Sequence, residues 1–127
     1  LSYLIVWFYK ILSLIPESLI SMLPGSPSEI TVTYAAVLFP AFMFALTIIA
    51  FFFLAREIFK SSFKNQIYPN AIALISSLFL AVIPTILPRT IAGIPEKESA
   101  GFFFIFLALY FIIKTFKLTR MVNLGRF

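Results

Sequence analysis

Residues 31–55 read TVTYAAVLFPAFMFALTIIAFFFLA and contain no charged side chain. At about 1.5 Å of rise per residue, a helix of this length reaches roughly 37 Å, which exceeds the roughly 30 Å hydrocarbon core of a bilayer. Pro40 interrupts the run, but membrane helices tolerate proline because neighbouring groups can satisfy the carbonyl that it leaves unbonded. The stretch therefore predicts a helix that crosses a membrane.

Two more apolar runs follow this one. The first covers residues 71–87 and ends at Pro88, and the second covers residues 100–113 and is followed by lysines and arginines. Proline interrupts helical hydrogen bonding, so Pro84 and Pro88 favour a helix that loosens before it leaves the membrane. Together the runs predict three full spans, near residues 31–55, 70–88 and 99–114.

The N-terminal segment, residues 1–15, is apolar but short for a span, and Lys10 lies in its middle. Its Tyr and Trp side chains are of the kind that collects at headgroup level. These features favour a helix lying in the membrane interface; the alternative is the end of a span.

Residues 16–30 are rich in Pro, Gly and Ser, which is typical of a loop, and Ser28-Glu29 is a candidate opening for the next helix. We therefore interpret residues 1–30 as the end of an external loop and residues 31–127 as a transmembrane region.

The composition excludes several classes of protein. With 61% apolar and only 12% charged residues, and a mean hydropathy of +1.05, the chain lacks the polar surface of a soluble domain, and the predicted class is an all-α, multi-spanning membrane protein. Residues 1–15 do not have the order of a signal peptide, so we expect an internal segment of a longer protein. The absence of Cys, His and Asp excludes thiolate and imidazole chemistry and nearly every zinc site. Any functional carboxylate must therefore be a glutamate.

The net charge of +5 comes mostly from cations that flank the apolar runs, which indicates membrane orientation rather than nucleic-acid binding. Cations are frequent in residues 56–68 and 114–127 and absent from residues 16–30. The positive-inside rule places the two cation-rich segments in the cytoplasm of a multi-pass cell-membrane protein. The loops at residues 16–30 and 89–99 are then extracytoplasmic. Glu57, beside Arg56 and Lys60, is interpreted as a local ion-pair partner.

One external loop has the residues expected of a functional site: residues 88–98 read PRTIAGIPEKE. Glu96 and Glu98 stand two positions apart, and in an extended loop such side chains point the same way, so both can face one ion. Carboxylate oxygens suit hard cations such as Mg²⁺ or Mn²⁺, and Arg89 suits a phosphate group. The alternative is an ordinary solvated loop between two spans.

These residues resemble a motif of the oligosaccharyltransferase catalytic subunit. The motif reads Ser-Arg-(Ser/Thr)-x-Ala-Gly, a two-residue gap, then Asp-x-Glu, especially in archaeal members, and here residues 89–93 and 96–98 read RTIAG and EKE. The proline-broken span around Pro40 and the helix end at residues 54–59 also resemble that family. The resemblance covers about residues 30–117.

The resemblance implies a GT-C-type membrane glycosyltransferase. Such an enzyme moves an oligosaccharide from a polyprenyl or dolichyl phosphate carrier to Asn in Asn-x-Ser/Thr of an acceptor polypeptide, with help from Mg²⁺ or Mn²⁺. The resemblance also implies that Glu96 and Glu98 are the catalytic and metal-binding acids, and that Arg89 acts at the donor phosphate or the acceptor. The family's first acidic motif and its soluble acceptor domain are absent from these residues, so this segment alone is expected to be inactive.

The sequence departs from the motif at two positions and leaves other functions open. Glu96 stands where the family has the shorter Asp, and Pro88 stands where Ser is usual. The alternatives are another GT-C enzyme, of the protein O-mannosyl or aminoarabinose type, and a transporter or structural membrane subunit, since broken helices occur in transporters. The upstream part of the reading frame would discriminate between them.

Overall fold

The computed structural model describes residues 2–16, 18, 31–63, 65–83 and 97–124. Within these residues the regular structure is helical throughout, which confirms the predicted all-α class. The helices are α1 (Ser2–Leu12), α2 (Val32–Phe59), α3 (Ile67–Val82) and α4 (Lys97–Leu124).

Two of the described helices are long and apolar enough to cross a bilayer by length and composition. They are α2 and the Glu98–Arg120 part of α4. Helix α3 has 16 residues, fewer than the roughly 20 that a span needs. Two candidate spans are therefore found where three were expected, and the third span stays a prediction.

Helix α2 begins and ends at different residues from those expected. Thr31 opens the helix with extended backbone angles (φ −102°, ψ 157°), and its hydroxyl oxygen accepts a hydrogen bond from the Tyr34 N–H at 3.2 Å. This is the usual N-cap arrangement. The expected opening, Ser28-Glu29, lies outside the described residues. At the other end the helix continues past Ala55 to Phe59, because Arg and Glu are good helix formers.

Helix α3 is displaced toward the N-terminus relative to the expected run of residues 71–87. It begins at Ile67, because Pro69 then falls in the first turn, where a missing N–H breaks no helical bond. It ends at Val82, and Ile83 is extended (ψ 121°), the conformation favoured by a residue before proline. The predicted loop at residues 56–68 is therefore shorter than expected.

Helix α4 is longer than its apolar run. It begins at Lys97 rather than at Ala100, and it continues through Lys114, Lys117 and Arg120 of the predicted cytoplasmic segment as far as Leu124. Lysine has a high helix propensity and a long aliphatic stem that can lie along apolar surface. Lys114 illustrates this, since its ammonium lies 5.5 Å from the centre of the Tyr110 ring one turn earlier.

Helix α2 is the central element, and α1, α3 and α4 each pack against it. One hydrophobic cluster joins α1, the N-terminal half of α2 and the start of α4. Its buried members are Phe8, Leu12, Ala35, Phe39, Met43 and Ala100. The Phe8 ring of α1 lies 6.0 Å from the Phe39 ring and 4.7 Å from the Phe42 ring, measured between centroids. The expected N-terminal helix is thus confirmed as a helix, and its place in the membrane interface stays a prediction.

Small buried residues line the side of α3 that is turned inward. Ala73 and Ser77, one turn apart, are 0% and 4% exposed, a spacing that lets helix backbones approach closely. The Ser77 hydroxyl donates to the Ala73 carbonyl, and in α2 the buried Thr47 hydroxyl donates to the Met43 carbonyl at 2.7 Å. Both hydroxyls are satisfied within their own helices, as an interior without water requires.

An ion pair joins α2 to α4 at the end remote from α1. Lys117 Nζ lies 3.5 Å from Glu57 Oε1 and also donates to the Glu57 backbone carbonyl. The interpretation of Glu57 as a partner of Arg56 or Lys60 is replaced by this contact with α4. Adjacent residues on a helix do not face each other, so Arg56 is poorly placed for Glu57.

The Glu57–Lys117 pair is expected to stabilise the packing of α2 against α4. Its side chains are 20% and 27% exposed, so a coupling of about 0.5–1 kcal/mol is expected between Glu57→Gln and Lys117→Gln. Denaturant titration of the single and double variants in detergent micelles measures it. Lys114→Gln is the control, and its coupling to Glu57→Gln should be near zero. Equal coupling for both lysines would contradict a specific pair.

Candidate functional site

The structure describes one of the three predicted site residues. Glu98 lies in the first turn of α4, whereas Arg89 and Glu96 lie outside the described residues. Whether the three side chains converge therefore stays a prediction. The part of the external loop at residues 97–99 is helical.

Glu98 is exposed, and its position at the start of a helix affects how well a cation can bind beside it. A helix N-terminus carries a partial positive charge, which stabilises a carboxylate within the first turn. The same partial charge disfavours a cation at that point, so a metal ion beside Glu98 needs further anionic ligands. Lys97 and Glu98 are helical, so the same-side geometry expected of an extended loop does not apply from Lys97 onward, and whether Glu96 and Glu98 face one ion stays a prediction.

The residues directly after Glu98 fix the first turn of α4 against the rest of the bundle. Ser99 is 0% exposed and Ala100 is 5% exposed. Ala100 belongs to the cluster formed with Phe8 and Phe39, and Phe103 packs against the same cluster one turn later. Helices α1 and α2 thus determine where Glu98 stands. This role of Ala100 has no signal in the amino-acid pattern, since a small residue in an apolar run looks like any other.

The two charged regions of the chain lie at opposite ends of the bundle. The start of α4 packs with Ala35 and Phe39 near the start of α2, whereas Glu57 near the end of α2 meets Lys117. For residues 97–99, the described part of the external loop, this arrangement agrees with the predicted separation from the segment at residues 56–68. Which end faces the cytoplasm stays a prediction.

The described residues include a ligand of the type that a hard divalent cation prefers, but they do not include enough such ligands to hold the ion. A glutamate oxygen is a suitable ligand for Mg²⁺ or Mn²⁺, and Glu98 offers one on an exposed turn. Ions of this kind take about six oxygen ligands. In the described part of the chain, no group of three or more His, Cys, Asp or Glu residues is placed to hold a metal ion. A complete site would need Glu96 and ligands from further segments of the protein.

Comparison with known proteins agrees with the resemblance seen in the motif. The family model described as "Oligosaccharyl transferase STT3, N-terminal" matches residues 1–123. No curated protein and no solved structure is significantly similar to the chain. The match includes α1, α2, α3, all but the last residue of α4, and the motif at residues 89–98, and it supports the oligosaccharyltransferase interpretation over the alternatives.

Proposed function

The chain belongs to the oligosaccharyl transferase STT3 family, and from this membership we propose that it is part of an N-glycosylating membrane enzyme. The reaction moves an oligosaccharide from a polyprenyl or dolichyl phosphate carrier to the Asn side chain of Asn-x-Ser/Thr in an acceptor polypeptide. The observation that carries the proposal is a family match that includes the acidic motif at residues 89–98. The family implies glycosyltransferase activity in general; the donor and acceptor are part of the proposal.

Within this proposal, Glu96 and Glu98 hold the divalent cation, Mg²⁺ or Mn²⁺, together with oxygens from other segments of the full-length protein. A cation bound there supplies Lewis-acid stabilisation of the negative charge on the departing phosphate. Arg89 binds phosphate oxygens through its planar guanidinium, which can donate two parallel hydrogen bonds. The first turn of α4 holds Glu98 at the edge of the bundle, where donor and acceptor can reach it.

The proposed membrane placement follows from the distribution of cations along the chain. The motif loop lies on the extracytoplasmic side of a multi-pass cell-membrane protein, and residues 56–68 and 114–127 lie on the cytoplasmic side. Residues 70–88 form a third crossing, which includes most of α3. Helix α1 lies in the outer interface, where it packs on α2 through Phe8 and Leu12.

The reaction can be tested directly on the full-length protein. With a lipid-linked oligosaccharide and a fluorescent peptide containing Asn-x-Thr, we expect a glycopeptide of lower gel mobility. The matched peptide with Gln-x-Thr should give none, because the acceptor nitrogen is displaced by one methylene. EDTA should abolish transfer, and added Mn²⁺ should restore it. Equal transfer to both peptides, or no transfer to either, would refute the proposed reaction.

A further inference from the structure

A groove runs between the end of α2 and the start of α3, at the end of the bundle opposite Glu98. Its volume is about 500 Å³. The lining residues are Phe52 and Arg56 from α2 and Ile67, Asn70, Ala71 and Leu74 from α3. This groove lies away from Glu98, and the proposed transfer reaction makes no use of it.

Arg56 is the charged residue of this groove, and part of its guanidinium is unsatisfied. Its Nε atom is buried and has no hydrogen-bond partner among the described residues. The neighbouring carboxylate, Glu57, is engaged by Lys117 of α4. Buried polar groups in proteins almost always have a partner, and a buried cationic donor without one is costly. An anionic group that enters the groove would place a compensating charge beside this guanidinium.

The rest of the groove has the pattern of an amphiphile site. Helices α2 and α3 are consecutive, and the short segment of residues 60–66 joins them. Arg56 and Asn70 lie near this connection, whereas Phe52 and Leu74 each lie four residues, about 6 Å, farther into the bundle. Leu74 and Ile67 are 65% and 69% exposed, so the apolar wall is open at the helix surface. Arg56 and Asn70 thus stand at the end of the groove next to the connection, together with the apolar Ile67, and Phe52 and Leu74 continue the apolar wall away from it.

We propose that this groove binds an anionic glycerophospholipid of the surrounding membrane. The lipid phosphate accepts hydrogen bonds from the Arg56 guanidinium, and an acyl chain lies along Phe52 and Leu74. The positive charge of Arg56 favours an anionic headgroup. Arg56 lies near the end of an apolar helix, which would place its side chain at the level of the lipid headgroups. The segment from Arg56 onward is also the one that the positive-inside rule assigns to the cytoplasmic leaflet, whose surface is anionic.

Native mass spectrometry of the full-length protein with added lipid tests this proposal. We expect retention of phosphatidylglycerol and not of zwitterionic phosphatidylcholine, in which the choline cation offsets the charge of the phosphate. Arg56→Gln should lower phosphatidylglycerol affinity by about tenfold, the loss expected for one hydrogen bond to a charged group. Lys60→Gln is the matched control: it removes the same charge one turn later on a side chain that does not line the groove, and it should leave the affinity unchanged.

A second variant tests the groove without touching the arginine. Ala71→Trp places a bulky ring on an exposed wall residue, so it should displace the lipid while Arg56 keeps its charge. Inorganic phosphate alone should not compete at concentrations near those of the lipid, because it lacks the acyl chain. Equal losses for Arg56→Gln and Lys60→Gln would overturn the proposal, as would undiminished binding to Ala71→Trp. Competition by free phosphate would also overturn the proposal, and so would a wild-type protein that retains no anionic lipid.

Discussion

Glu96→Gln in the full-length enzyme is expected to lower the rate of glycopeptide formation by about 100-fold or more. Removal of a group that only orients a metal ligand already costs about 10–100-fold, and Glu96 is proposed to be a ligand itself. The substitution keeps the shape of the side chain and removes its charge, so it tests charge rather than packing. Excess Mn²⁺ should restore part of the activity, because the lost ligand weakens binding of the cation.

The control for this variant is Glu29→Gln, which removes a carboxylate from the other loop predicted to be external. Glu29 is outside the acidic motif, and its substitution should leave the rate and the metal dependence near those of the wild type. Transfer and the Mn²⁺ requirement are measured with the fluorescent peptide at matched protein levels. A Glu96→Gln enzyme with unchanged rate and metal dependence would show that the site has been assigned to the wrong residue.

Ala100→Leu is expected to lower the transfer rate by about tenfold or more without unfolding the protein. Ala100 is 5% exposed and packs among Phe8 and Phe39, so a larger side chain must push the first turn of α4 away from α1 and α2. Glu98 is on that turn, and a displacement of about 1 Å at a reacting group can cost roughly 100-fold in rate. Overpacking of this kind costs about 1–3 kcal/mol of stability.

Ala108→Leu provides a matched control on the same helix. Ala108 is exposed, so the same enlargement meets no packed neighbour and should leave the rate near that of the wild type. Transfer assays and thermal unfolding in detergent are compared for the two variants. Equal rates for both variants would contradict a positioning role for Ala100, and equal losses would show that the effect is not specific to the start of α4.

Most of the helical architecture could be predicted from apolar runs, because their length and lack of charge are local properties. The ends of the helices could not. The apolar run at residues 71–87 leaves Pro69 outside the predicted span, although a proline in the first turn leaves helical bonds intact. The apolar run at residues 100–113 likewise ends before Lys114 and Lys117, although lysine is a good helix former. The partner of Glu57 was missed because Lys117 stands 60 positions away in the sequence.

The candidate site was predictable only as a motif. The acidic pair and Arg89 could be found because their residue types and spacing resemble a family pattern. The position of Glu98 on a helical turn could not, since the boundary of α4 depends on how Ser99 and Ala100 are buried against other helices. Tertiary packing of this kind leaves no trace in the spacing of charged residues.

The central place of α2 has a consequence for synthesis at the ribosome. A chain is made from its N-terminus, and helices that enter a membrane first form singly and then associate. Helix α1 emerges first and α2 second. When α3 and α4 emerge, α2 is already complete and offers each of them a surface for packing. Each later helix can therefore associate as it is released, without waiting for a partner that is still to be translated.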